Sequence, residues 1–225
     1  ETAAAAVQRE FAGRDIGFVV ANAGVQTQGG LTEATEHDWD WVLGVNVKGV
    51  AFTIRVFVPL MQRQTAPSIF CTTSSVSGVI ATQLGPYGVS KHAAVAMTET
   101  LRLELAEQGT KHVFVHCLCP PFTKSNIIAA HRNRPSNLAK YGARSSKEFL
   151  EGLNAWLQEH GAPASVVVAA MLDGVQAGRF YTILEGTPEL GLAKLIEQRA
   201  REQIYGTSMA KVQGQQPGEP PASKL

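Results

Sequence analysis

Residues 67–75, PSIFCTTSS, govern how the rest of the chain is read. The run opens on a proline, turns apolar and closes in hydroxyl residues, which is the pattern of a buried strand entering a Ser/Gly loop. Downstream, residues 87–108 keep helical spacing up to Gly109, and KHVFVHCLCPP (111–121) is a further apolar run, broken by Pro120 and Pro121. Upstream, IGFVVANAG (16–24) is another such run, closed by Gly24. The segment between the first two strands predicts one long helix over 32–63, with Thr32 or Thr35 as its cap and acidic residues in its first turns. Strands alternating with helices imply right-handed crossovers and a doubly wound parallel sheet, the α/β class. Beyond residue 123 the chain is polar and irregular, like a loop over a cleft. Helices near 148–159 and 163–177, a strand RFYTIL and a helix at about 188–205 follow. The reading is one domain over 1–205 and a flexible Gln/Pro/Gly-rich tail over 206–225.

Composition narrows the classes. The chain has 225 residues, 44% hydrophobic and 17% charged, enough to bury a sizeable core. Twenty basic residues against nineteen acidic ones leave +1, with no long basic run to suggest a nucleic-acid surface. No uninterrupted apolar stretch approaches the ~20 residues of a membrane span. Cys71, Cys117 and Cys119 sit in apolar runs without metal-ligand spacing, as buried free thiols of a reducing compartment do, so no metal is expected. The chain opens ETAAAAVQREFAG, a helical pattern with neither methionine nor cap, and is expected to lack a preceding segment. It closes on Ser223, Lys224 and Leu225, the tripeptide of peroxisomal import. The expectation is therefore peroxisomal in a eukaryote and cytoplasmic otherwise.

Ligands of a parallel sheet sit outside the carboxyl ends of its strands. Those ends carry Asn22-Ala23-Gly24, Thr73-Ser74-Ser75 and Pro120-Pro121-Phe122. In GPYGVSKHAAV (85–95), Tyr87 and Lys91 are four residues apart, so they share one helix face at the same sheet edge. An ammonium about 4–6 Å from a phenol favours the phenolate. Asn46 lies mid-helix, where an amide is a mediocre helix former. Hydroxyl, phenol, ammonium and amide together suit proton transfer at a carbonyl or carbinol carbon.

In this order, ANAG, VNVKG, SSVSG and YGVSK resemble the motifs of the classical short-chain dehydrogenases/reductases over residues 1–130 and, less closely, to about 205. The resemblance implies a Rossmann-like sheet and NAD or NADP as cofactor. The implied activity is interconversion of a secondary alcohol and a ketone. Tyr87 is then the general acid/base, and Lys91 lowers its pKa and holds the nicotinamide ribose. Ser75 orients the substrate oxygen, and Asn46 anchors a water of a proton relay. Asn22, Ala23 and Gly24 line the adenosine and ribose side. Pro120 and Ser125 stand where the family contacts the nicotinamide.

Three departures bear on this. No glycine-rich dinucleotide turn precedes residue 22, so the alternative is a truncated, non-catalytic relative that serves as an interaction or scaffold protein. Pro121 replaces the family's glycine. The spacing to Tyr87 is one residue short, which sets Ser74 against Ser75; the local motif favours Ser75. The stretch 119–142 is similar to that of lignin Cα-dehydrogenases, implying a bulky aromatic substrate with Phe122 and Tyr141 as walls. Helices 32–63 and 87–108 resemble the family's pair at a dimer interface. A homodimer or homotetramer is expected, with Trp39, Phe57 and Met97 as outward candidates.

Overall fold

The computed structural model describes residues 2–141, 147–184 and 191–205. The first compact unit, Glu1–Gly186, is built on four strands, β1 (Phe18–Ala21), β2 (Ser68–Thr73), β3 (Val113–Cys119) and β4 (Tyr181–Ile183). They form one parallel sheet in the order β1-β2-β3-β4, with Phe18 opposite Ile69, Cys71 opposite His116 and Cys117 opposite Tyr181. Each strand is short, apolar and rich in β-branched or aromatic residues, which suits a sheet buried between helices. The second unit, Thr187–Leu225, contains a helix over Leu192–Tyr205 with an i,i+4 pair between Glu197 and Arg201 at 3.0 Å. The sequence reading had set its boundary at residue 205. The tail beyond it, with Ser223, Lys224 and Leu225, lies outside the described residues.

The crossovers are helical. After α1 (Thr2–Glu10), the long helix expected over 32–63 forms as two: α2 (Glu36–Leu43) and α3 (Gly49–Arg63) flank a π turn at Gly44–Lys48. Two glycines bound that turn, and each weakens an α ladder by about 1 kcal/mol relative to alanine. Asn46 inside it takes its hydrogen bonds from outside the helix, which repays the irregular ladder. Of the two candidate caps, Thr35 is the one used. Its hydroxyl accepts from the Asp38 amide while the Asp38 carboxylate accepts from the Thr35 amide, a reciprocal capping box. The helical run Glu36–Arg63 is apolar and long enough to cross a membrane by length and composition. Within it, Val50, Val58 and Met61 are buried in one core cluster with Ala21 and Phe70 of β1 and β2.

α4 (Gly85–Glu107) begins on a glycine at φ +47°, a conformation that a side chain disfavours. A Cβ there would also stand 2.7 Å from the Gly29 carbonyl. Pro86 follows in the first turn, where its missing N–H costs nothing. α3 and α4 cover one face of the sheet, with Phe70, Leu101, Leu105 and Val113 at the centre of the core. Below the other face, α6 (Ala164–Gln176) packs Val167 and Met171 on Cys71 and Leu118. α5 (Lys147–His160) precedes it. All three cysteines are free and buried, and burial pushes the Cys71 thiol up to about 12. Among the described residues, no group of three or more His, Cys, Asp or Glu could hold a metal ion.

Met97 packs on the main core cluster, and Trp39 and Phe57 are half-buried. The outward apolar residues of α3 and α4 are instead Phe52, Val89 and Leu103. The substitution follows from helix phase: Met97 shares the inward face with Leu101, one turn on.

Candidate active site

The strand ends and α4 meet at the carboxyl edge of the sheet. Beyond the paired residues of β2 and β3, Ser74 N–H donates to the Leu118 carbonyl at 2.8 Å and Val76 N–H to the Pro120 carbonyl at 3.0 Å. These two bonds hold the Ser75 loop against the exit of β3. Ser75 itself is extended, caps the short 3-10 turn Val76–Gly78 by accepting from Ser77 N–H at 3.1 Å, and is buried. Its hydroxyl also bears on the Tyr87 phenol, whose pKa it draws down against the effect of burial. Ser74 does something else: its hydroxyl donates to the Lys91 carbonyl at 2.8 Å. Ser74 is thus tied to the backbone of α4, while the Ser75 hydroxyl is the one that bears on the Tyr87 phenol.

Tyr87 and Lys91 lie on the buried face of the first turns of α4, with the Lys91 ammonium 5.6 Å from the centre of the Tyr87 ring. Lys91 Nζ donates to the Thr73 carbonyl at 2.9 Å. Burial holds the Tyr87 pKa above the ordinary phenol value, and the Ser75 hydrogen bond opposes it without overcoming it. Lys91 is desolvated in the same way. Burial brings its pKa down to about 8, against smaller opposing contributions from the Cys119 and Cys117 thiols.

Gly24 is the contribution of β1. A Cβ there would sit 3.4 Å from Lys91 Nζ and 3.6 Å from Asn46 Oδ1, so hydrogen keeps that approach open. Asn46 grips the next residue from both sides: Oδ1 accepts from Val25 N–H at 2.8 Å, and Nδ2 donates to the Val25 carbonyl at 2.9 Å. The other Nδ2 hydrogen goes to Ser90 Oγ at 2.9 Å. Both amide hydrogens are thus spent on protein groups, and the side chain's work is to clamp the Gly24–Val25 turn onto the π turn.

Ser90 was not singled out by the sequence reading. It is fully buried and also donates to the Tyr87 carbonyl at 2.7 Å, so it joins the Asn46 clamp to the Tyr87 turn. Its signal lay inside YGVSK, a small hydroxyl three residues past the tyrosine. The Thr73 carbonyl has no sequence signal, since any residue supplies one.

The remaining candidates are more peripheral. Asn22 and Ala23 are exposed at the end of β1, and Pro120 is half-buried, with its carbonyl taken by Val76. Ser125 is exposed; its hydroxyl accepts from Ile127 N–H at 3.4 Å and its carbonyl from Gln158 of α5 at 2.9 Å. Phe122 is exposed, and its carbonyl accepts from Ala162 N–H at 2.8 Å. Its ring meets Trp156 of α5 edge-on at 5.3 Å, and Trp156 stacks on His160 at 5.2 Å. The side chain of Tyr141 lies outside the described residues.

A family model described as short chain dehydrogenase matches residues 1–136. A C alpha-dehydrogenase of Sphingobium sp. is 32% identical over 173 residues, 76% of this chain and 55% of that protein. A CLA biosynthesis dehydrogenase/reductase of Lactiplantibacillus plantarum is 25% identical over 83% of this chain and 65% of its own length. The chain thus spans 55% and 65% of the length of these two relatives. Among solved structures, a short chain dehydrogenase/reductase SDR from Burkholderia phymatum in complex with NAD aligns with a TM-score of 0.80 and 31% identity. That alignment covers 92% of this chain and 72% of the other.

Proposed function

The chain belongs to the short chain dehydrogenase family, and on that premise we propose that it is an NAD- or NADP-dependent oxidoreductase interconverting a secondary alcohol and a ketone. One observation carries the reading: Ser75 and Tyr87 are both buried at the carboxyl edge of the sheet, with Lys91 Nζ 5.6 Å from the centre of the Tyr87 ring and Gly24 directly beside that ammonium. The residues present fit the nicotinamide-ribose end of such a cofactor, since the space a Gly24 Cβ would fill borders Lys91 Nζ and the exposed Asn22-Ala23 strand end. Lys91 and Tyr87 would hold the ribose, Asn22, Ala23 and Gly24 the adjoining portion, and Pro120 and Ser125 the nicotinamide side. When bound, the cofactor supplies or accepts the hydride.

Proton movement falls to the chain. Its raised pKa keeps the Tyr87 phenol protonated near neutral pH, so in ketone reduction it gives that proton to the substrate oxygen. In alcohol oxidation the phenol first passes its proton to a neutral Lys91, and the phenolate so formed receives the proton of the alcohol. Ser75 donates its hydroxyl proton to the substrate oxygen and orients it. Lys91, near its own midpoint around pH 8, hands a proton back to the phenolate, and the Thr73 carbonyl keeps it in place. Asn46, through Val25 and Ser90, holds the cofactor turn and the Tyr87 turn in register.

The substrate reading is a bulky aromatic alcohol, with Phe122 and Tyr141 as walls. The similarity to a C alpha-dehydrogenase and the Phe122–Trp156 aromatic pair support it. A homodimer or homotetramer formed through α3 and α4 is supported by the exposed Phe52, Val89 and Leu103. The Ser223-Lys224-Leu225 end supports peroxisomal import in a eukaryotic host. Titration of the purified protein with NADH and NADPH, followed by nicotinamide fluorescence, tests the core of the reading. Saturable binding of one nucleotide is expected. Binding of neither returns the chain to the interaction-protein alternative.

A further inference from the structure

Outside the catalytic group, one cluster stands apart for being both charged and buried. The Arg134 side chain is 3% exposed and places Nη1 2.7 Å from Asp38 Oδ1. Its Nε donates to the Leu138 carbonyl at 3.0 Å, and its guanidinium lies 5.1 Å from the centre of the Trp41 ring. The Asp38 carboxylate is fixed in turn, because Oδ2 accepts from the Thr35 amide at 2.9 Å and from its hydroxyl at 2.7 Å. Arg134 therefore ties the irregular segment after β3 to the capped start of α2.

That segment is tied together internally and packed against its neighbours. Arg132 Nη1 donates to the Asn126 and Ala129 carbonyls, both at 2.8 Å, closing it internally. Ala130 and Leu138 pack on Trp41, Val42 and Val25. Val25 is the residue that Asn46 clamps, directly after Gly24. At its other end the segment leaves Ser125, which Gln158 holds. It thus runs from the exit of β3 to the end of β1, past both sides of the site.

The pair is a poor device for stability. Buried ion pairs are often replaceable by apolar residues without loss, because desolvation offsets their attraction. Arg134 Nη2 adds to that cost, being buried with no hydrogen-bond partner among the described residues. What such a pair does supply is a single geometry. We infer that Arg134 is a positioning residue, paired with Asp38, that holds residues 126–138 in the arrangement that walls the substrate side of the cleft. The inference rests on the dehydrogenase reading for its consequence, but the latch itself does not.

Arg134→Met keeps the stem and removes the charge, and Arg134→Lys restores a cation. Asp38→Asn with Arg134→Met removes both charges, in case a lone buried carboxylate prevents folding. The probes are 1-phenylethanol with the preferred nucleotide, and amide hydrogen exchange over 126–138. Arg134→Met should raise KM for the alcohol about tenfold, with kcat and the nucleotide KM within about twofold. Exchange should quicken in 126–138 and not in α4, and Arg134→Lys should recover part of both effects. Unchanged exchange overturns the inference, and so does a common fall of kcat, KM and melting temperature that lysine does not rescue. If the wild type oxidises no 1-phenylethanol, the failure counts against the substrate reading, and the exchange result alone decides the latch.

Discussion

Burial moves the two central groups toward neutrality from opposite sides. It raises the Tyr87 pKa and lowers that of Lys91 to about 8. The sign for stability follows from proton counting. Between pH 8 and about 10.5 the unfolded chain holds the Lys91 proton more tightly than the folded one, so this group's contribution to stability rises with pH across that window. Below pH 8 both states are protonated and the contribution is flat. Tyr87 acts above pH 10, where the unfolded phenol ionises first and stability falls. Urea unfolding of wild type and Lys91→Met at pH 7.5, 8.5 and 9.5 should give a difference that grows in favour of wild type with pH, by about 2 kcal/mol over that range at 1.36 kcal/mol per pKa unit. A difference that stays constant contradicts the desolvated lysine. Tyr87 and Lys91 are legible in sequence because i,i+4 spacing survives as a local pattern. Ser90 and the Thr73 carbonyl are not, because their partners lie 44 and 18 residues away and only the fold brings them together.

At the scale of elements, the strands and most helices read directly from apolar runs and their punctuation. The long helix over 32–63 does not. Two glycines and an asparagine look like tolerated blemishes in a periodic stretch, whereas the structure uses them as a π turn that turns Asn46 onto Val25. The loop between β2 and α4 carries a second constraint without a sequence trace. A Cβ on Gly78 would lie 2.6 Å from the Lys91 carbonyl and would also collide with Ser74 Oγ, which donates to that same carbonyl. Gly78→Ala should therefore displace the turn of α4 that bears Lys91. The expected cost is about 1–3 kcal/mol, as for other overpacked sites, read as a lower denaturation midpoint. Turnover should fall with it. Full stability together with full activity would mean that the Ser75 loop and α4 yield more easily than their packing suggests.

For the whole molecule, the sheet gathers β1, β2, β3 and the start of α4 at one edge, and the candidate site is the product of that gathering. Its class was legible from strand–helix alternation. The Asp38–Arg134 tie was not, since nothing local links a cap to a loop residue far along the chain. The faces of α3 and α4 turned away from the sheet carry exposed apolar side chains among charged ones, with Phe52 58% and Leu103 62% exposed. If they are an interface between copies, Phe52→Glu with Leu103→Glu should convert a dimer or tetramer to a smaller species in light scattering without lowering the melting temperature of the monomer. An unchanged mass would move the interface elsewhere. The most direct test of the central assignment is the rate of 1-phenylethanol oxidation by Tyr87→Phe, measured beside its affinity for the nucleotide. The proton role requires kcat to fall by about 10²–10⁴ while nucleotide binding stays within about twofold. Turnover that survives the loss of the phenolic oxygen would contradict it.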